Sequence, residues 1–249
     1  FRRVLFRSRS ADAVAGAPDG RTLYVAAQDL GQRALFNVDV ASGEVARVAT
    51  DGHVNQPVAA GGRVWYTKGS LRGAPELHVL DGGVERQLTH LNSTVLRGVA
   101  LGEPEQFTFP GWNGEAVHGY VVKPAGYRPG NKYPVAFIVH GGPQSSFAND
   151  FSYRWNPQVY AGAGYAVVFI DFHGSTGYGQ GFTDSISGDW GGKPLEDLKK
   201  SWMNKLSGEC VFISATNRNN IDELRKRLME LVKEIHFRRY PNLLYKSGE

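Results

Sequence analysis

Val135-Ala136-Phe137-Ile138-Val139, running into His140-Gly141-Gly142-Pro143, and Ala166-Val167-Val168-Phe169-Ile170, ending in Asp171, decide the fold class. Both are short apolar runs rich in β-branched residues, and the first is bounded by Pro134 and by the Gly-Gly-Pro triplet. Such runs read as strands covered on both faces. A helical stretch around Pro157 to Ala163 lies between them, and Val117 to Val122 supplies a further buried strand upstream. Strand, helix, strand is the order of an α/β unit, and it predicts a mostly parallel sheet.

Towards the amino terminus the chain repeats itself. Gly20-Arg21-Thr22-Leu23-Tyr24-Val25 returns as Gly62-Arg63-Val64-Trp65-Tyr66-Thr67, and Leu35 to Asp39 returns as Leu77 to Asp81, both 42 residues on. Gly43 to Thr50 corresponds to Gly83 to Thr89 with a shortened turn. A period near 40 residues, with three clear alternating strands and a weaker fourth in each unit, is the pattern of a four-stranded propeller blade. About two blades are expected in residues 10–100. A closed ring needs about four to eight, so a partial all-β propeller is expected ahead of the α/β region. Asp19-Gly20 and Ser42-Gly43 need only be hairpin turns.

The 249 residues are 41% apolar and 12% aromatic, a composition able to build a buried core. Cys210 is the single cysteine, which excludes a disulfide within the chain and any zinc site built from cysteines. No metal-binding spacing or cofactor motif is present, and neither a metal nor a cofactor is expected. No apolar run reaches the roughly 18 to 20 residues of a membrane-spanning helix, so no membrane is expected as a partner. The net charge of +4 is unevenly placed. Residues 1–10 carry four arginines and no acid, and residues 201–249 carry nine Lys or Arg against six acids, which leaves the middle acidic. Nucleic-acid recognition needs one continuous basic face, and two tails distant in sequence do not supply it. No nucleic-acid partner is expected. Phe1 to Ser8 resemble the translation of a sequencing adapter, so residues 1–9 are expected to be a leader foreign to the fold. With no signal-peptide pattern, the compartment is left open, with a lean to the cytoplasm.

Four phrases carry chemistry: His140-Gly141-Gly142-Pro143, Asp171-Phe172-His173-Gly174-Ser175-Thr176-Gly177-Tyr178-Gly179, Gly188-Asp189-Trp190-Gly191-Gly192, and Glu196-Asp197-Leu198. In order and spacing they resemble the prolyl oligopeptidase family, in its acylaminoacyl-peptidase and dipeptidyl-peptidase branch, over about residues 10–200. The resemblance implies an amino-terminal propeller followed by an α/β-hydrolase domain, of which residues 101–200 are expected to be the N-terminal half. It also implies serine-dependent hydrolysis of peptide or acyl-peptide bonds, with a peptide as partner. His173 stands where relatives commonly carry Arg. In such hydrolases the loop after the third strand offers a backbone N–H to the oxygen that turns negative in acyl transfer, and Gly141 and Gly142 are the candidates. His140 is not the expected general base, because the hydrolase base follows the nucleophile in chain order. His140, Ser175, Thr176 and Tyr178 are candidates for shaping the substrate cleft. Asp189 and Trp190 are expected to organise the neighbouring loop.

No serine in the chain lies in a G-x-S-x-G elbow, the strained turn that exposes a hydrolase nucleophile. The resemblance stops near Lys200. Residues 201–249 instead contain an apolar strand, Cys210 to Ile213, then Ser214-Ala215 and a helix from Ile221. Ile221, Leu224, Leu228, Leu231, Val232 and Ile235 fall on one face of that helix. This segment resembles the end of a translational GTPase of the HflX type, although no G-x-x-x-x-G-K-[ST] loop occurs anywhere. Ser214, Asp222 and His236 follow the hydrolase chain order, but fourteen helical residues separate the last two by about 21 Å. The expected fold is therefore an incomplete α/β hydrolase with a mostly parallel sheet, preceded by partial propeller blades. Its expected function is that of a serine-peptidase fragment without catalytic power. The alternatives are a non-catalytic peptide-binding module and a fragment of a ribosome-associated GTPase.

Overall fold

The computed structural model describes residues 9–49, 51–142, 144–205 and 221–239. The expectations for residues 1–8, for Cys210 to Ile213 and for Ser214 lie outside them. The chain forms two units, residues 1–205 and 206–249.

The first unit begins with β1 (Ala11–Gly16), β2 (Thr22–Asp29), β3 (Gln32–Asp39) and β4 (Val45–Ala49), then β5 (His53–Ala60), β6 (Arg63–Ser70), β7 (Gly73–Asp81) and β8 (Val84–Gln87). Each set of four is an antiparallel meander, and one bridge pair, Arg33 with His53, links β3 to β5. The 42-residue echo in the sequence thus places β2 over β6 and β3 over β7 as equivalent strands. Successive side chains alternate between faces. Ala26 and Leu35, opposite each other across β2 and β3, join Val54, Val64, Tyr66 and Leu80 in one buried cluster, while their neighbours Val25 and Phe36 are buried on the other face.

After a short helix, α1 (Ser93–Leu96), come β9 (Pro104–Pro110), β10 (Ala116–Val122), β11 (Val135–Ile138), α2 (Pro157–Gly162), β12 (Ala166–Asp171), α3 (Gln180–Asp184) and α4 (Lys193–Lys205). The strand order is β11-β12-β10-β9. Only β11 and β12 run parallel; β10 is antiparallel to both β12 and β9. The expected mostly parallel sheet is thus a mixed one. Parallel neighbours need a long crossover, which α2 supplies between β11 and β12, whereas β9 and β10 are joined by the tight turn at residues 111–115. Proline at the first turn of α2 and an Asn156 side chain accepting from Gln158 N (2.9 Å) start that helix.

β12 is the buried centre strand. Val167 and Phe169 pack with Tyr120, Val122, Ala161 and Leu71, and Ile170 packs on the opposite face with Phe109, Val117, Phe172 and Ile186. β11, read from sequence as a fully covered strand through Val139, ends at Ile138, and all four of its residues are only half-buried. It is the edge of its sheet among the described residues, so one side of the strand lacks the neighbour that would bury it.

Two hairpin tips of the meanders plug into the α/β region. Leu30 and Gly31, both at positive φ (52° and 77°), form the two-residue turn between β2 and β3, the geometry that matches strand twist. The Gly31 carbonyl accepts from Tyr120 Oη (3.0 Å) and Asn149 N (2.8 Å). Asn149 Oδ1 accepts from Leu71 N (2.8 Å) at the second tip, where the Leu71 side chain enters the core beside Phe169 and Tyr120. Gln158 closes the joint, donating to the carbonyls of Leu71 (3.0 Å) and Gly102 (2.9 Å) and accepting from Gly102 N (2.7 Å). Leu71→Ala should cost about 2–5 kcal/mol in urea unfolding, the range for deleting a buried leucine. Removal of the half-exposed Leu30 side chain should cost well under half of that.

Glu76 on β7 anchors the connecting segment. Burial by itself would raise its carboxyl, but bonds from Thr89 Oγ1 (2.5 Å), Asn92 N (2.8 Å), Leu91 N (3.0 Å) and Asn92 Nδ2 (3.0 Å) hold it at about 2. A carboxyl depressed in the folded state stabilises above its unfolded value, 4.5, and that contribution is lost as pH falls towards about 2. Glu76→Gln should therefore be less stable than the parent at neutral pH, and the gap should narrow in thermal melts taken from pH 5 down to about pH 2.

Candidate active site

β11 and β12 deliver their carboxyl ends side by side, the place where open α/β sheets build ligand sites. His140 follows β11. Its ring stacks on Phe172 (4.4 Å between centroids), its Nε2 lies 3.0 Å from Ser175 Oγ, and its Nδ1 lies 3.1 Å from the Gly141 carbonyl. A carbonyl only accepts, so in the neutral ring this network puts the proton on Nδ1 and leaves Nε2 to accept from the Ser175 hydroxyl.

Asp171, at the end of β12, sits behind that pair. Its Oδ2 accepts from Ser146 Oγ and from Tyr178 Oη, both at 2.6 Å, and its Oδ1, 3.7 Å from His140 Nε2, has no hydrogen-bond partner among the described residues. Burial raises its carboxyl, against the pull of Ser146, Tyr178 and His140. The Tyr178 hydroxyl is pushed up in turn by burial and by the Asp171 charge. Tyr178 stacks on His118, whose imidazole is lowered by burial. Thr176 N donates to the Ser145 carbonyl (3.1 Å), and its hydroxyl reaches Gln28 of the first meander.

Ser175, His140 and Asp171 thus meet in the order of a catalytic relay, and the geometry denies them that role. A relay needs the carboxylate on one ring nitrogen and the nucleophile on the other; here Asp171 and Ser175 approach the same atom, Nε2. Ser175 also has no exposed surface, so no substrate carbonyl reaches its oxygen. The group braces the loop that follows β11. Gly141 and Gly142 stand exposed on that loop, Gly142 at φ 126°, where a side chain would strain the backbone and crowd Ser145. Beside them opens a cavity of about 560 Å³ between Ile138, His140, Gly141, Ser146, Trp155 and Tyr160. Among the described residues no group of three or more His, Cys, Asp or Glu is placed to hold a metal ion.

A second buried cluster escaped the sequence reading. Asp197 on α4 is fully buried and accepts from Trp112 N (2.7 Å), His173 N (2.8 Å) and His173 Nδ1 (2.6 Å), while His173 Nε2 lies 3.2 Å from Glu115 Oε2. One carboxylate so joins the turn after β9, the loop after β12 and α4. Asp189 accepts from Lys193 N (3.2 Å) at the start of α4, and Trp190 is exposed. The only local signal for the cluster was the departure from Arg at His173, which announces no partner. Asp197→Ala leaves two backbone N–H groups and an imidazole without their acceptor. It should cost about 3–5 kcal/mol in denaturant unfolding, against about 1 kcal/mol for Asp189→Ala at the helix start.

Residues 151–216 match the sequence model of the prolyl oligopeptidase family. The match runs past Lys200, so family sequence continues beyond the point where the motif reading ended it. The chain is 38% identical over 178 residues to dipeptidyl-peptidase 5 of Schizosaccharomyces pombe, covering 71% of this chain and 26% of that protein. It is 38% identical over 224 residues to a probable dipeptidyl-peptidase 5 of Trichophyton verrucosum, covering 84% and 30%. Among solved structures, the acylaminoacyl peptidase of Pyrococcus horikoshii superposes with a TM-score of 0.68 at 26% identity, over 80% of this chain and 31% of its own. An acylaminoacyl peptidase in complex with Z-Gly-Gly-Phe-chloromethyl ketone superposes equally well, with a TM-score of 0.68. The chain spans about a quarter to a third of the length of these relatives. Over the part that they share, with its α/β-hydrolase strands and the His140-Gly141-Gly142 turn, this chain belongs to the prolyl oligopeptidase family.

Proposed function

We propose that these 249 residues carry the carbonyl-recognising part of a serine peptidase, and that they bind a peptide or acyl-peptide without cleaving it. The observation that carries this reading is the exposed Gly141-Gly142 turn at the carboxyl end of β11, braced from behind by His140, Ser175 and Asp171. Backbone donors held rigidly before a substrate arrives need no rearrangement as negative charge develops, which is the basis of oxyanion stabilisation. Turnover needs in addition a serine on a strained elbow and a base behind it. The sequence holds no such elbow, and Ser175 is shut away. The substrate class rests on the relatives, which are dipeptidyl-peptidases and acylaminoacyl peptidases, one of them bound to a blocked tripeptide ketone.

The two meanders fit this reading as two blades of a propeller, supported by their four antiparallel strands and 42-residue sequence echo. The family match up to residue 216 moves any foreign tail beyond that point, and only residues 217–249 of the expected 201–249 segment fit a tail of other descent. A fluorophosphonate probe should leave the purified chain unlabelled, and stoichiometric labelling abolished by one serine substitution would refute the loss of catalysis. Z-Gly-Gly-Phe should bind weakly in calorimetric titration, and Gly142→Val should weaken it by about tenfold or more, the scale of one lost hydrogen bond to a charged or polarised acceptor. Equal binding by parent and variant would remove the Gly141-Gly142 turn from the site.

A further inference from the structure

Helix α5 (Ile221–Arg239) makes up the described part of the second unit. Ile221, Leu224, Leu228, Leu231 and Ile235 recur at steps of three, four, three and four residues, the a and d positions of successive heptads. Along this seam Leu228, Leu231 and Ile235 are 51%, 47% and 52% exposed, and Val232 beside it is 57% exposed. A row of large aliphatic side chains half open to water has a standing reason to be covered.

The charges flanking the seam choose the cover. The heptad frame puts Arg227 and Glu234 at g positions and Arg225, Val232 and Arg239 at e positions. Two copies packed antiparallel about a two-fold axis set g against g, so Arg227 of each copy lies beside Glu234 of the other, twice by symmetry. In the same register Leu228 meets Leu231 of the second copy and Leu224 meets Ile235. A parallel pair would also match charges once, Glu234 beside Arg239, but it would set Arg227 beside Val232 and Arg238, the last d position, against itself. Within one helix Arg227 bonds Glu230 (2.6 Å) and Arg238 bonds Glu234 (2.9 Å). The first contact holds Arg227 along the rim of the seam, and Arg238, at the seam's end, falls opposite Ile221 of the second copy in the antiparallel register.

We infer that α5 is a self-association surface, which joins two copies of this chain as an antiparallel helix pair along the seam from Ile221 to Ile235. The helix spans about 28 Å, too short for a tight coiled coil, and the pair should therefore be in reversible exchange with monomer.

Sedimentation of the full chain over a wide range of concentration tests this. The parent should show a reversible monomer–dimer equilibrium. The double variant Leu228→Asp with Leu231→Asp should be monomeric throughout, with unchanged helix content by circular dichroism. Arg227→Glu and Glu234→Arg should each weaken the dimer by about tenfold, since each sets like charges together at two places. The two combined should recover the parent affinity. A parent that is monomeric at every concentration, or a dimer that survives the double Asp variant, would overturn the proposal. So would single charge reversals without effect, or association of the helix with anionic vesicles in place of a second copy.

Discussion

The carboxylate of Asp171 is the constraint around which the rest of the site is arranged. It ends the most deeply buried strand, it is itself nearly inaccessible to water, and burial of a carboxyl group is tolerated only with bonded partners. Ser146 and Tyr178 come from the two loops that leave the neighbouring strands, so satisfying one buried oxygen ties those loops together. His140 is packed against the other oxygen and reaches across to Ser175. The exposed glycine turn therefore projects from a rigid base, although the turn itself has little packing of its own.

A polar joint does comparable work farther down. The Gly31 carbonyl at one hairpin tip is satisfied by Tyr120 and Asn149, and at the other the Leu71 N–H is satisfied by Asn149 and its carbonyl by Gln158, all contributed by the α/β region. Asn149 lies in the segment that begins with the glycine turn, so the meanders hold one end of that segment while Asp171 holds its middle. Loops placed between two anchors lose less freedom when a ligand arrives, and that is how a scaffold distant from the chemistry improves binding.

The strand order shows where motif reading stops. The apolar runs Val135 to Val139 and Ala166 to Ile170 were legible as neighbouring strands because β-branched residues between turn signals have few other uses. Their parallel pairing was legible as well, through the intervening helix. The antiparallel placement of β10 beside β12 was not, because the choice of neighbour depends on which faces are left to cover after the chain has folded. The half-buried state of β11 has the same origin. A strand's composition records that it is apolar, and its position in the sheet decides how much of it is covered.

What the sequence by itself determined is local. The 42-residue echo specified the repeating meanders, the glycines specified a turn at the end of β11, and the spacing of Ile221, Leu224, Leu228, Leu231 and Ile235 specified an amphipathic helix. Each depends on backbone geometry within a few residues. Tertiary structure alone decided the roles of the polar side chains. Ser175 reads as a cleft residue and is sealed inside; Asp197 reads as part of a helical phrase and carries three donors from two other segments. Asp171 reads as the end of a strand and bonds both loops. Hydrogen-bond partners of a buried group lie far away in the chain, and no periodicity records which distant donor will meet which acceptor once water is excluded.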